Sequence, residues 1–150
     1  MTQIRHHVTA NGSIEDAFDL VNDYRMIPKW MFGITSFTPI TDVTRGLGAT
    51  FESAMKIGPK SLKSTMEVVE YVEGEVVCLK AVRGVDVTTR WAFSESDEEG
   101  KIRVDVDFDY SLGGGLAGRA LSAVVEPVVG QAIKQTERDL TKLLEERSGS

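Results

Sequence analysis

The 150-residue sequence predicts a single α+β domain, in which a curved seven-stranded antiparallel sheet wraps around a long C-terminal helix. Two observations carry this prediction. Residues 34–111 contain short apolar stretches separated by turn signals, and the short spacers favour hairpins over helical crossovers. Residues 116–147 then carry apolar side chains at steps of three and four, which is typical of one long amphipathic helix.

Composition and charge limit the class of protein. The chain is 41% hydrophobic and 27% charged, and its net charge of −6 argues against a nucleic-acid partner. Its one cysteine, Cys78, cannot form an internal disulfide. The first residues lack the apolar core of a signal peptide, and no apolar run reaches membrane-spanning length. We therefore expect a cytoplasmic monomer or homodimer without integral membrane association.

The first strand and two short helices are predicted from local signals. Residues 3–10 alternate between apolar and polar, with His6 on the apolar face, so they form a half-buried strand. After a turn, Ser13 is suited to cap a helix that ends at about Asn22, because an acidic residue stands at the third helical position. Residues 24–30, which contain a proline, form a second short helical or irregular segment.

Six further strands follow between turn signals. They are predicted at residues 34–41, 48–57, 61–72, 75–83, 86–95 and 101–111. The last strand alternates most clearly, since Asp105, Asp107 and Asp109 lie opposite an apolar face. We interpret these carboxylates as the convex, water-facing side of the sheet rather than as a metal or acid/base cluster.

The C-terminal segment is predicted to cover the sheet. Pro127 removes one helical hydrogen bond, so either a kink or a division into two helices is expected there. The apolar face from Leu121 to Ile133 is predicted to form one wall of a pocket, and Leu140 to Leu144 to pack against the first strand and short helices. Residues 148–150 are interpreted as a frayed tail.

A glycine-rich stretch precedes this helix. Residues 113–118 fit the pattern G-x-G-x-x-G, which in dinucleotide-binding proteins follows a strand and opens a helix. That interpretation needs a further parallel strand, and the sequence contains none after residue 118. The glycines are therefore interpreted as the junction that lets the helix turn back over the sheet.

Several segments together resemble a known superfamily. Residues 8–23, the "tyrosine, proline, tryptophan, then strand" segment from Tyr24 to Ile34, the turn Gly46-Leu47-Gly48 and the glycine-to-helix junction at 113–118 are similar to the START-like or helix-grip superfamily (SRPBCC). This group contains polyketide cyclase/dehydrase and lipid-transport proteins. The resemblance implies the helix-grip fold and an apolar pocket between sheet and helix. One departure is Ser13-Ile14, where a proline often begins the first helix.

Within that expected pocket, aromatic and methionine side chains are the candidate contacts, although a fully packed core is the alternative. The candidate ligand-binding residues are His6, Met26, Trp30, Met31, Phe51, Met55, Met66, Trp91, Phe93, Phe108, Tyr110, Leu121 and Val125. The polar groups suited to orient a hydroxyl or carbonyl are His6, Ser53, Ser64, Thr89 and Tyr110.

Three functions agree with this interpretation. The first is binding, and possible transport, of a hydrophobic small molecule such as a lipid or polyketide. The second is a cofactor-independent enzyme of cyclase, aromatase or dehydratase type, in which His6, Arg90 or Tyr110 polarises a carbonyl or moves a proton. The third is a regulatory interaction protein with a vestigial pocket. No metal-ligand cluster is visible in the sequence, so neither metal nor cofactor is expected.

Overall fold

A computed structural model describes residues 2–148 as one antiparallel sheet and a set of helices. The strands are β1 (Thr2–Asn11), β2 (Ile34–Pro39), β3 (Thr50–Ile57), β4 (Lys60–Val72), β5 (Val76–Gly84), β6 (Asp86–Glu95) and β7 (Lys101–Ser111). The helices are α1 (Ile14–Asn22), α2 (Ile27–Trp30), α3 (Gly115–Val125) and α4 (Val129–Ser148). No helix among these residues combines the length and the apolar content needed to cross a bilayer.

The strands lie in the order β1-β7-β6-β5-β4-β3-β2, so consecutive strands pair except where β1 closes against β7. This confirms the predicted seven-stranded antiparallel sheet with two short helices between its first two strands. The predicted bounds differ most around the β2–β3 connection. There Gly46 and Gly48 adopt φ angles of +96° and +89°, a turn conformation that delays the start of β3 to Thr50.

The first helix begins as predicted. The Ser13 side-chain oxygen accepts a hydrogen bond from the backbone N–H of Asp16 at 3.1 Å. Its buried side, formed by Ala17, Phe18, Leu20 and Val21, faces the core. Serine therefore replaces the proline of the superfamily pattern without loss of a defined helix start.

The C-terminal segment is helical from Gly115 to Ser148 but changes its hydrogen-bond pattern at Pro127. A 3-10 turn spans Glu126–Val128 and separates α3 from α4, while φ and ψ stay in the helical region on both sides. Proline lacks the N–H that an uninterrupted α-helix needs at this point. Ser148 is the last residue of α4, so the predicted frayed tail does not include it; residues 149–150 lie outside the described range.

The two halves of this segment pack differently. In α4, Leu140 and Leu144 are almost fully buried against β1, α1 and α2, as predicted. In α3, only Gly118 and Val125 are buried, and Leu116 is 83% exposed. Thus α4 fixes one end of the sheet, and α3 lies loosely over the other end.

Aromatic rings fill the end of the core beneath α1. The ring of Phe18 contacts those of Tyr71 and Phe93 at centroid distances of 5.4 and 5.2 Å. Arg45 covers the same ring with its guanidinium 5.5 Å from the centroid, and its Nη1 lies 2.8 Å from Asp19 Oδ1. These contacts hold the β2–β3 connection against α1 and leave this end of the core closed.

Steric constraints explain why the junction between β7 and α3 is rich in glycine. Gly113 and Gly115 adopt φ angles of +82° and +72°, which favour glycine. A Cβ on Gly118 would lie 2.2 Å from the carbonyl oxygen of Gly113. The motif therefore makes a tight turn from strand to helix, in agreement with its interpretation as a junction.

Candidate functional site

A cavity of about 200 Å³ lies between the concave face of the sheet and the C-terminal helical segment. The helical wall is apolar and comes from both sides of Pro127. It consists of Val125, Val128, Val129, Ala132 and Ile133, with Thr136 beyond them. The sheet forms the wall opposite the helix, and every second side chain of each strand faces it. Because these strand positions and the helical stripe are mainly apolar, the cavity is apolar.

The two ends of the cavity differ in packing. At the α2 end, the buried rings of Trp30 and Trp91 meet edge to face with centroids 5.2 Å apart. The backbone N–H of Phe32 also donates to Thr136 Oγ1 at 3.1 Å, which ties the segment after α2 to α4. At the α3 end the wall consists mainly of half-buried side chains, including Leu62 and Leu112. The α3 end of the cavity wall is therefore packed less tightly than the α2 end.

Most of the candidate residues from the sequence line this cavity. They are His6, Trp30, Met31, Met55, Met66, Trp91, Phe108, Tyr110 and Val125. The five polar groups singled out from the sequence, His6, Ser53, Ser64, Thr89 and Tyr110, line it as well. The structure thus brings these side chains together around one space, and their contact with a ligand stays a prediction.

Four candidates do not line the cavity, and their contact with a ligand stays a prediction. Phe51 stacks on Phe37 with centroids 4.7 Å apart, and Phe93 packs on Phe18. Phe93 thus lies in the filled core beneath α1, whereas Phe51 lies next to Phe37, which itself lines the cavity. Strand alternation alone does not separate such positions from those that line the cavity. Met26 packs against that same core, and Leu121 packs beside the cavity within the cluster under α3.

Other lining residues were not identified from the sequence. Val85 and Val87 precede Thr89 and Trp91 on the same chain segment, so strict alternation would have placed them on the same face. Thr136 follows Ala132 by four positions, one helical turn along the same stripe. Strand alternation and helical spacing could therefore have identified these residues. The turn at Gly84 obscured the strand pattern, and the polarity of Thr136 obscured its place on the apolar stripe.

Besides the ring of His6, three polar groups in the cavity wall have no hydrogen-bond partner among the described residues. They are the Trp30 Nε1–H, the Thr89 hydroxyl and the Tyr110 hydroxyl. By contrast, the Ser64 hydroxyl donates to the carbonyl of Val85 at 3.3 Å. These three atoms are nevertheless shielded by their surroundings, so the open space of the cavity borders mainly on apolar surface.

The Tyr110 hydroxyl stays protonated at neutral pH. Burial raises the pKa of Tyr110, an effect that nearby Thr2 opposes and Glu126 reinforces. Both neighbours influence this pKa, yet neither meets the geometry of a hydrogen bond to the hydroxyl. Tyr110 is thus a neutral donor at the cavity wall.

His6 lies at the edge of the cavity beside a carboxylate of α4. Its Nδ1 is 3.7 Å from Glu137 Oε2, and both side chains are largely shielded from solvent. Burial lowers the pKa of His6, while Glu137 acts in the opposite direction and His7 adds a smaller lowering. The imidazole is therefore neutral at pH 7 and able to accept a proton.

Arg90 does not face the cavity, which corrects its inclusion among the candidate catalytic residues. Its Nε lies 3.0 Å from Glu70 Oε1 on the outer face, beside Cys78. The same face carries the predicted acidic stripe. There Asp105 and Asp107 pair with arginines, as Arg103–Asp105 at 3.0 Å and Arg5–Asp107 at 3.4 Å. These charges belong to the water-facing surface.

Comparison with solved structures identifies the same architecture elsewhere. TTHA0849 of Thermus thermophilus superposes with a TM-score of 0.79 at 15% identity, over 98% of this chain and 99% of that one. A START superfamily protein of Mycobacterium smegmatis gives 0.75 at 15% identity, over 96% and 97%. CV1439 of Chromobacterium violaceum gives 0.70 at 15% identity, over 97% and 99%. At such identities the likeness establishes the fold alone.

Sequence comparison establishes the family. No curated protein matches the chain. The model of the family described as "Polyketide cyclase / dehydrase and lipid transport" matches residues 1–145, which is nearly the whole sequence. The chain is START-like, has the helix-grip fold, and belongs to the polyketide cyclase/dehydrase and lipid transport family.

Proposed function

We propose that this protein binds a hydrophobic small molecule in the cavity between the sheet and the C-terminal helical segment. The observation that carries the proposal is the cavity itself. Protein interiors are close-packed, and voids larger than a water molecule are few. A space of about 200 Å³ leaves its lining side chains without packing partners on one side, which costs packing energy. A bound apolar molecule would recover much of that energy.

The packing of α3 supports exchange of such a molecule with solvent. Of its residues only Gly118 and Val125 are buried, whereas α4 is fixed by Leu140 and Leu144. Segments with few buried contacts open at lower free energy than the rest of a fold. Displacement of α3 would therefore open the cavity while the anchored end of the sheet stays folded, as a binding or transport protein requires.

Native mass spectrometry and calorimetry test this proposal. Protein purified without detergent is examined for a bound organic molecule, and then titrated with two neutral probes, the ring compound 1-naphthol and the chain compound 1-decanol. Retention of an adduct, or saturable one-to-one binding of either probe, supports the proposal. If no adduct is found and neither probe binds, the proposal is overturned.

A second candidate function is catalysis of the cyclase or dehydratase type, which the His6–Glu137 pair favours. A neutral imidazole at the cavity edge, 3.7 Å from a carboxylate, has the chemistry of a general base. In an enzyme, His6→Gln should abolish turnover of a polyketide-like carbonyl substrate and leave binding nearly intact. In a binding protein, the wild type shows no turnover and the variant keeps its affinity.

A further inference from the structure

We propose that the α3 end of the molecule is a docking surface for an anionic lipid bilayer, which its cations attract and into which Leu116 inserts. This inference goes beyond the proposed binding of a small molecule and does not depend on it. It rests on the unpaired cations of two hairpins and on the exposed apolar face of α3.

Unpaired cations are concentrated at two hairpins of the sheet. The β3–β4 hairpin carries Lys56, Lys60 and Lys63, and Arg83 lies near the end of β5. All four are exposed, and none forms an ion pair with another residue in the range 2–148. By contrast, Arg90 on the outer face of β6 is paired with a carboxylate. The hairpin cations are therefore available to an anion from outside the protein.

Strand pairing places these cations close to one another. Lys56 and Lys63 are diagonal neighbours on the outer face of β3 and β4, and Arg83 is the diagonal neighbour of Lys63 on β5. Adjacent strands lie about 4.8 Å apart, so the three strands span about 10 Å, which is about one Debye length at 0.1 M ionic strength. These cations therefore act together on a nearby anionic surface.

The charge of this end is opposite to that of the whole chain. Residues 56–63, 82–86 and 112–125 carry five lysines and arginines, namely the four hairpin cations and Arg119, and one acidic residue, Asp86. The whole chain has 17 lysines and arginines against 23 aspartates and glutamates. The net charge of −6 is thus unevenly distributed, and the α3 end is complementary to anionic lipid.

Helix α3 is apolar on its exposed side as well as on its packed side. Arg119 is its one charged residue, and of its residues only Gly118 and Val125 are buried. Leu116 is 83% exposed, and Ala120, one turn further on, is exposed as well. A helix that is apolar on all sides is normally buried, so the exposed face of α3 lacks a partner within the described chain.

Packing and pairing place α3 beside both hairpins. Its half-buried Leu121 belongs to one apolar cluster with Ile57 and Leu62 of the β3–β4 hairpin. Ser111, the last residue of β7 before the glycine-rich junction, pairs with Asp86 at the start of β6. The helix and the cations therefore lie at one end of the molecule.

The combination of charge and apolar surface favours a bilayer over an acidic protein. Carboxylates alone would satisfy the lysines but would leave the exposed side of α3 in a polar environment. A bilayer offers anionic head groups and, about 5–10 Å deeper, the start of the acyl chains. Apolar side chains flanked by lysine and arginine are typical of helices that lie in this interface.

Vesicle flotation of the full chain tests the electrostatic part of the inference. Wild type should bind vesicles of phosphatidylcholine and phosphatidylserine, mixed about two to one, at least about tenfold more tightly than vesicles of phosphatidylcholine alone. Added salt should release it, because counter-ions screen the attraction. Equal binding to both kinds of vesicle, or binding to neither, would overturn the inference.

Two double variants that remove the same charge locate the surface. Lys56→Gln with Lys63→Gln should weaken binding to the anionic vesicles at least about tenfold, since each lysine near such a surface contributes about fivefold. Lys29→Gln with Lys142→Gln removes two exposed lysines on α2 and α4 and should change binding less than about twofold. Equal losses in the two variants would assign the attraction to overall charge and contradict the inference.

Two tryptophan variants test insertion of α3. The emission of Leu116→Trp should shift to shorter wavelength when the anionic vesicles are added, because the indole leaves water. Leu47→Trp is the control, since Leu47 is 67% exposed on the β2–β3 connection, and its emission should not shift. The spectrum of wild type, whose Trp30 and Trp91 are buried, is subtracted in both cases. No shift in Leu116→Trp, or equal shifts in the two variants, would contradict insertion.

A soluble acidic polymer separates the two classes of partner. If wild type binds polyglutamate and not the anionic vesicles, the surface fits an acidic protein, and the bilayer inference is wrong. Ligand-stripped protein serves in all of these experiments, so their outcome is independent of the cavity. Vesicle binding without binding of 1-naphthol or 1-decanol would overturn the proposed function alone, and binding of a probe without vesicle binding would overturn this inference alone.

Discussion

Thr89 and Tyr110 are diagonal neighbours on the concave faces of β6 and β7, and both hydroxyls are buried without a hydrogen-bond partner among the described residues. Neither hydroxyl is paired by another group of the described chain, so neither contributes a protein–protein hydrogen bond to the stability of the fold. Within the described chain, hydrogen bonding therefore gives no reason for a hydroxyl at either position.

Replacement of Thr89 by valine should therefore stabilise the ligand-free protein. Thr89→Val removes an unpaired buried hydroxyl and keeps a β-branched side chain of similar shape, so the free energy of unfolding should rise by about 1 kcal/mol. Urea denaturation of ligand-stripped protein measures the change. Thr88→Val is the control and should stay within about 0.5 kcal/mol of wild type. A clear loss of stability in Thr89→Val would show that the hydroxyl has a partner.

Gly118 and Gly130, both within the C-terminal helical segment, should respond oppositely to alanine. In Gly118→Ala the new Cβ would meet the Gly113 carbonyl oxygen at 2.2 Å, so the junction must shift, at a cost of about 1–3 kcal/mol. Gly130 has open space around its Cβ position, and Gly130→Ala should stabilise α4 by up to about 1 kcal/mol. Thermal and urea unfolding compare the variants. Equal effects at both positions would contradict the described junction.

Removal of Arg45 should loosen the β2–β3 connection. Its guanidinium contacts Asp19, Glu73, Tyr71 and the ring of Phe18, and Arg45→Ala loses all four contacts, at a cost of about 1–2 kcal/mol after allowance for partial solvent screening. Arg5→Ala removes a more exposed pair with Asp107 and should change stability by less than about 0.5 kcal/mol. Equal losses in the two variants would refute the assigned role of Arg45.

His6 should make stability depend on pH in a defined direction. Burial lowers the pKa of His6 below its usual 6.5 in the folded protein, with Glu137 opposing and His7 adding to the effect. Below pH 6.5 the unfolded chain therefore binds a proton that the folded protein resists, and the free energy of unfolding falls as the pH drops toward the folded pKa. Above pH 6.5 this contribution is constant.

The measurement is the free energy of unfolding between pH 5 and 8 in His6→Gln, with the exposed neighbour variant His7→Gln as control. The decline below about pH 6.5 should be smaller in His6→Gln than in wild type, because glutamine does not titrate. An unchanged decline in His6→Gln, or its loss in His7→Gln instead, would contradict the assignment.

The fold was predictable because its periodic signals are strong and agree with one another. Residues 101–111 alternate strictly and form β7 with those bounds, and the Ser13 cap begins α1 as expected. The sequence did not decide the helix geometry at Pro127, because a kinked helix and two separate helices both accommodate a residue without a backbone N–H. The structure shows a 3-10 turn between two α-helices that continue one helical path.

The cavity was less predictable than the fold. Strand alternation predicts which face of the sheet a side chain lies on, but not whether the space above that side chain is filled. Phe51 and Met55 share one face of β3, yet Phe51 stacks on Phe37 and does not line the cavity, whereas Met55 does. Whether a concave position is filled or hollow depends on the helix above it, and that contact joins residues distant in sequence. Arg90 was misplaced although alternation with its neighbours Thr89 and Trp91 already puts it on the opposite face, where it pairs with Glu70.

The most direct measurement of ligand binding in the cavity is 1-naphthol titration of two tryptophan variants. Ala132→Trp, on the helical wall, places an indole inside a space of about 200 Å³, whereas Gln131→Trp adds the same group on the exposed side of α4. We expect wild type and Gln131→Trp to bind equally, and Ala132→Trp to lose at least tenfold in affinity, equivalent to about 1.4 kcal/mol. Equal binding by all three proteins would place the ligand elsewhere and contradict the proposed function.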